Sequence, residues 1–483
     1  EMTLEGIGDT DVGNITALSV QDSTAKLNNQ GTLKITLAGT GKNATGILVN
    51  NAASTFGNNG DITINVTGDF VNAKAMDVAG TIANNGSITT NGAIEVGKIS
   101  GAQGKLGDLI LTGTDTVSVI HDNASVSKLV NAGTLTINQE ATLNSFVLHV
   151  EELENTGILN TAGYVEIADK TDGKISTVLN SGTINIVDEV GLHRFGILSG
   201  NEAKITNESD GLIKISLKST YDQIHALSTT DTLTGIDMAH YSVDYVGGQL
   251  LNSGDITVAV ESDRGKLYGL IFDGESGHVL DNQGDITVTL TKTQADDLTA
   301  QGVAIRSAGD YRNSGTITVN GTNVGGWGSL DAIRIDNNFS DGKRVGFTNA
   351  GTINSNLTGQ QVVNDGDESY SGVHLLHLNY TDFVNETSGS ITGTLDAVAA
   401  YGASMYASTF TNKGELSVTM TGHQTGQLTG SGSNPNDPTP DTTGQYQEQA
   451  GMRIGSGSSF VNEEGATYSY TLANADDSIT TTD

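Results

Sequence analysis

Along most of this chain, apolar and polar residues alternate in short runs, and each run starts from a corner made of Asn and Gly. Ile256-Thr257-Val258 follows Asn252-Ser253-Gly254-Asp255. Ile286-Thr287-Val288 follows Asn282-Gln283-Gly284-Asp285, and Ile317-Thr318-Val319 follows Asn313-Ser314-Gly315-Thr316. Alternation with a period of two predicts short strands that bury one face. The unit recurs at Asn29-Gln30-Gly31, Asn58-Asn59-Gly60, Asn84-Asn85-Gly86, Asn131-Ala132-Gly133, Asn155-Thr156-Gly157, Asn180-Ser181-Gly182, Asn349-Ala350-Gly351 and Asn412-Lys413-Gly414. Looser copies run from Asn207 to Gly211, Asn385 to Gly389 and Asn462 to Gly465. Asn and Gly at the corner are expected to supply left-handed backbone angles.

Two more strand classes accompany the corner. One enters it, as in Phe70-Val71-Asn72, Leu129-Val130-Asn131, Leu250-Leu251-Asn252 and Phe383-Val384-Asn385. The other often follows a small residue, as in Ala75-Met76-Asp77-Val78, Gly269-Leu270-Ile271-Phe272, Ala332-Ile333-Arg334-Ile335 and Gly451-Met452-Arg453-Ile454. Alternation puts Asp77, Glu95, Arg334, His374 and Arg453 on its outer side. Gly133, Gly157 and Gly182 are 24 to 25 residues apart. That is too short for strand–helix–strand crossovers, but it fits one coil of a solenoid. The predicted fold is all-β: a right-handed, three-sided parallel β-helix of about 15 to 16 coils, with the hand taken from the preference of parallel crossovers. Gly104 to Leu111 is read as a degenerate corner between Gly86 and Gly133. The chain reads as one domain over 1–483, with insertions near 217–248 and 421–450. The first is apolar enough to pack on the spine. The second holds all three prolines and reads as a mobile loop.

Charge narrows the partners. The formal net charge is −33, from 23 basic and 56 acidic residues, with no basic stripe, which argues against nucleic acid. There is no cysteine, so stacked backbone ladders and the apolar interior must hold the fold without disulfides. No apolar run approaches the length of a membrane-spanning helix. Glu1-Met2-Thr3 does not begin a signal peptide, and Thr481-Thr482-Asp483 does not close a membrane barrel, so the sequence reads as a piece of something longer.

Neither the Gly-x-Ser-x-Gly elbow nor a phosphate-binding GxxxxGK[ST] loop is found, and neither is the nonapeptide of calcium-binding β-rolls. His374 and His377 lie three apart and are expected on opposite sides of a strand, so no metal is assigned, and no cofactor is called for. The corner asparagines are expected to stack as a structural amide ladder. One constellation suggests a ligand: Asp273, Arg306 and Asp336 end the third strand in successive coils, neighbours roughly 5 Å apart. His121 and Asp169 hold similar places earlier in the chain, and Asp237 and Asp244 from the first insertion are expected to wall one side. Such a row suits carbohydrate hydroxyls and charged substituents. The plainer alternative is a surface ion-pair ladder that only relieves repulsion.

Coils built on Asn-x-Gly-x-Ile-x-Val with Phe-Val-Asn entries, in an acidic, cysteine-free chain, resemble the passenger region of AIDA-type autotransporter adhesins, most closely the uropathogenic ones. The resemblance covers essentially the whole chain. It implies a bacterial cell-surface protein carried by a C-terminal outer-membrane barrel. Such a protein binds host extracellular matrix, such as fibronectin, or glycosaminoglycan, or other copies of itself, and is not an enzyme. It transfers no site residue. The enzymatic alternative is a polysaccharide lyase, which uses the same solenoid with carboxylates and Arg or Lys on one face.

Overall fold

The computed structural model describes residues 2–474 except 7–13, 23–25, 102–105, 139–145, 170–174, 189–190, 201, 228–231, 239–246, 275, 295–298, 325–327, 338–343, 365–366, 371, 398 and 423–448. The insertion expected near 421–450 thus lies almost wholly outside the described residues. By its internal contacts the chain divides into two units, Glu1–Asp188 with Gly196–Ile215, and Glu189–Phe195 with Ser216–Asp483. Each is a parallel β-helix, its strands pairing with the equivalent strands one coil away.

The second unit shows the repeat most regularly. The strands Asp255–Ser262, Asp285–Lys292, Thr316–Val324 and Thr352–Asn364 stack in parallel, with Ile256, Ile286, Ile317 and Ile353 in register. All four are buried. The strands that enter the corner align Phe347, Phe383, Phe410 and Phe460 into a column of rings 5.0 to 5.3 Å apart. At the corner, Asn252 Nδ2 donates to Asn282 Oδ1, and the chain of amides continues through Asn313, Asn349, Asn385 and Asn412 to Asn462, each step 2.7 or 2.8 Å. Apart from the terminal Asn462 these amides are buried, and the expected structural ladder is present.

The corner glycines have a different reason from the one expected. Gly284, Gly315, Gly351 and Gly414 are not at positive φ. A Cβ on Gly284 would lie 2.1 Å from the Gly254 carbonyl oxygen, and the same distance recurs from Gly315 to Gly284 and from Gly351 to Gly315. Coil-on-coil contact, not a left-handed turn, requires glycine here. Among the described corner glycines a left-handed angle occurs only in one looser copy, at Gly465 (φ 85°).

Extra residues leave the coil in two ways. Thr352–Asn364 continues into an antiparallel hairpin with Asp367–Tyr370. Within 217–248, Tyr221–Leu227 forms a short helix. Its N-terminus is closed by Thr220 and Gln223, the Thr220 amide donating to Gln223 Oε1 at 2.9 Å and the Gln223 amide to Thr220 Oγ1 at 3.4 Å. This reciprocal capping box is visible in the sequence as Thr-x-x-Gln.

The first unit holds an irregularity that the repeat conceals. Its amide ladder runs Asn29–Asn58–Asn84, stops, and resumes as Asn131–Asn155–Asn180–Asn207. The strand Asp108–Leu111 pairs with Ser87–Thr90, which leaves a corner. On its other edge it pairs with residues 129–131, which enter one. Likewise Val117–Ile120 pairs with Glu95 and Val96 of the third class, then with Thr134–Ile137, which leaves a corner. Each motif class therefore moves on by one face between Gly86 and Gly133. Gly107 stacks over Gly86 as expected of a degenerate corner, but Gly133 stacks over Gly113. The two halves of the amide ladder occupy different corners.

Candidate functional site

The third-class strands of the second unit, Thr232–Asp237, Lys266–Phe272, Ala300–Ile305, Ser329–Asp336, Gly372–Asn379 and Ala399–Tyr406, build the candidate surface. They are not simple alternating strands. In each pair one residue is skipped in the register: Asp331 pairs with His374, then Ile333 with Leu376. Ala332, Ile333, Leu375 and Leu376 are all buried in the interior. The backbone bends there, two consecutive residues point inward, and residues three apart share the outer side. Glycine occupies the bend in several coils, and a Cβ on Gly269 would meet Val288 Cγ1 at 2.3 Å.

Past the bend, Arg306 and Asp336 follow the paired residues Ile305 and Ile335, and Asp273 follows Phe272, which pairs with Ile305. The three line one cleft of about 350 Å³ with Lys266, Tyr268, Thr299, Gln301 and Arg334. Arg306 is its centre. Its Nη2 donates to the Tyr268 hydroxyl at 2.6 Å, its Nη1 lies 3.4 Å from Asp273 Oδ2, and its guanidinium sits 5.0 Å over the Tyr268 ring. Burial pulls the Arg306 pKa down, but the Tyr268 hydroxyl and Asp273 outweigh it and the net shift is upward. Arg334 Nη2 pairs with Asp336 Oδ2 at 3.0 Å. His278 donates from Nε2 to the Asp273 carbonyl at 3.1 Å and so fixes the backbone behind that carboxylate. Lys266, Arg306 and Arg334 against Asp273 and Asp336 leave one net positive charge on the cleft wall, in a chain of net charge −33.

The same register row extends further than the sequence suggested. Asp336 pairs with Asn379 and Asn379 with Tyr406. Tyr380 and Tyr406 are exposed and pack edge to face, centroids 5.7 Å apart. A row of ionic, amide and aromatic groups thus runs along one edge, roughly 20 Å for four ladder steps.

The other expected site residues fall elsewhere. Asp237 is buried at the end of its strand, in register with Ile271, and does not line the cleft. Asp244 lies outside the described residues. His121 and Asp169 belong to the first unit. They do not even share a face there: His121 follows the ladder of Val117–Ile120, and Asp169 that of Val165–Ile167, which pairs with Leu148–Val150. The shift by one face separates them. His121 is exposed, with Nε2 at 3.4 Å from Glu95 Oε1.

His374 and His377, expected on opposite sides, lie on the same side because of the bend, ring centroids 4.7 Å apart. Both face Asp331, which sequence reasoning passed over because its burial depends on the bend. A second cleft of about 480 Å³, lined by Lys218, Glu261, Thr289 and Thr291 among others, opens on the strands that leave the corner.

No protein-family model matches this chain, and no solved structure matches it. It is similar to a surface-exposed virulence protein, BigA, of Salmonella typhimurium, at 26% identity over 328 residues. The match covers 64% of this chain and 16% of that protein, so the chain spans about a sixth of its relative's length.

Proposed function

We propose that this chain is the ligand-binding solenoid of a bacterial surface adhesin and that the Arg306 cleft engages an acidic host glycan, a glycosaminoglycan in the first instance. The carrying observation is local charge: the cleft wall is net positive while the chain as a whole carries −33. A volume of about 350 Å³ is at the small end for a ligand site. The pinned guanidinium of Arg306 is a planar donor suited to sulfate or carboxylate. Tyr268 is buried beneath it, so any aromatic contact with a sugar ring comes from Tyr380 and Tyr406. The surface role is supported by the likeness to a protein named as surface-exposed and associated with virulence. Placement among uropathogenic adhesins and anchoring through an outer-membrane barrel encoded beyond this sequence belong to the same proposal, as does recognition of a matrix glycoprotein such as fibronectin through its glycans. We read the protein as a binder and not a lyase, because only the shared fold speaks for the lyase.

Purified protein is applied to arrayed glycosaminoglycans and matrix proteins beside the variants R306A and Y380A/Y406A. Heparin-type binding that weakens at least tenfold in R306A, with unchanged circular dichroism, is expected. Binding equal in wild type and R306A sinks the cleft. No binding, together with concentration-dependent sedimentation, assigns the chain to self-association.

A further inference from the structure

Asp331, His374 and His377 bring three ligand atoms, Oδ1, Nδ1 and Nδ1, within 4.8 Å of one another. Asp331 Oδ1 is 2.7 Å from His374 Nδ1 and 3.5 Å from His377 Nδ1. Atoms bound to one zinc-sized ion at about 2.0 to 2.1 Å stand about 2.9 to 3.4 Å apart, close to the two carboxylate–imidazole distances; the two nitrogens, within 4.8 Å of each other, close on the ion by side-chain rotation. All three atoms are buried, and none completes a hydrogen bond of acceptable angle despite the short approach. One carboxylate oxygen and two ring nitrogens converge on a single buried point, where a shared cation or ring protons must satisfy them.

The surroundings are built as metal sites usually are. Asp331 is fully buried, and its second oxygen, Oδ2, accepts from Ser329 Oγ at 2.9 Å and faces Arg334 Nη1 at 3.4 Å, which orients Oδ1 toward the histidines. The His374 ring is held by stacking on Tyr401, centroids 4.9 Å apart and planes 11° from parallel. His377 is less buried, its side chain 20% exposed, although its Nδ1 is buried with the other two ligand atoms. The positive charge of Arg334 is countered by Asp336.

We propose that Asp331, His374 and His377 bind one divalent transition-metal ion, zinc in the first instance, through two imidazoles and a carboxylate. Two nitrogen donors select such an ion over Mg²⁺ or Ca²⁺, which prefer oxygen. The ion clips the strands Ser329–Asp336 and Gly372–Asn379 together on the outer side of a chain that has no disulfide. The assignment does not rest on the glycan reading.

Chelator-stripped full-length chain is titrated with ZnCl₂ by calorimetry, and with CoCl₂ by visible absorption. One equivalent of saturable uptake is expected, with ligand-field bands for cobalt and no comparable response to MgCl₂ or CaCl₂. H377A removes a partly exposed ligand and is expected to abolish the uptake while its metal-free melting curve stays near wild type. H377D restores it in part. S329A, which only frees the carboxylate, is expected to weaken binding about 10- to 100-fold. No saturable zinc uptake overturns the proposal. So does uptake unchanged in H377A, which would assign the metal to other histidines.

Discussion

A single corner asparagine is embedded in a chain of donors and acceptors. Asn282 accepts from Asn252 and donates to Asn313 Oδ1 at 2.7 Å and to the Thr316 carbonyl at 3.1 Å, with no exposed surface. N282A strands one buried donor and one buried acceptor on its neighbours, each costing about 1 to 3 kcal/mol. A loss of about 2 to 5 kcal/mol is expected in urea unfolding; a loss below 1 kcal/mol would mean that water replaces the amide. His278 makes the matching pH prediction. Burial pushes its pKa down from 6.5 to about 4, although its bond to the Asp273 carbonyl opposes the shift. Because the unfolded chain takes up the proton first, His278 contributes stability above about pH 6.5, and this is lost as pH falls toward 4. The contribution is on the order of 3 kcal/mol. Stability measured from pH 7 to 4 should therefore decline less steeply in H278N than in wild type.

At the scale of the strand and corner, the glycines tell coil stacking from turn geometry. G284A would put a methyl 2.1 Å from the Gly254 carbonyl oxygen, and backbone cannot step aside cheaply. It should cost about 1 to 3 kcal/mol or more. G346A has nothing within 4 Å and should stay within about 0.5 kcal/mol. Equal melting temperatures for the two would refute the stacking argument. The three strand classes were legible because alternation and the Asn–Gly corner are local signals. Their reason at Gly284 was not, since a close approach between residues thirty positions apart leaves no mark on either one. The bend at Ala332 and Leu375 was hidden for a related cause. An apolar pair such as Leu375-Leu376 reads as a lapse in alternation until the interior shows both buried. With that lapse misread, His374 and His377 fall on opposite sides, and Asp331 drops out of view.

For the whole chain, the net charge of −33 sets a background of self-repulsion, relieved locally by pairs such as Arg344 with Asp382 at 2.7 Å. Raising salt from about 10 mM to about 1 M shortens the screening length from about 30 Å to about 3 Å. The melting temperature is expected to rise by several degrees, and a fall would mean that attractive pairs outweigh the repulsion. The sequence by itself determined the parallel β-helix, the amide ladder and the row of Asp273, Arg306 and Asp336, because each follows from a repeated local pattern read at one register. Only the tertiary structure decided which face each class occupies. The 47 residues from Gly86 to Gly133 carry the motif two coils and one face further on, so His121 and Asp169 part company. It also decided that Asp331 and two histidines meet. Coil length and strand bending are summed over many residues, and an error of a few positions in that sum moves a side chain to another face.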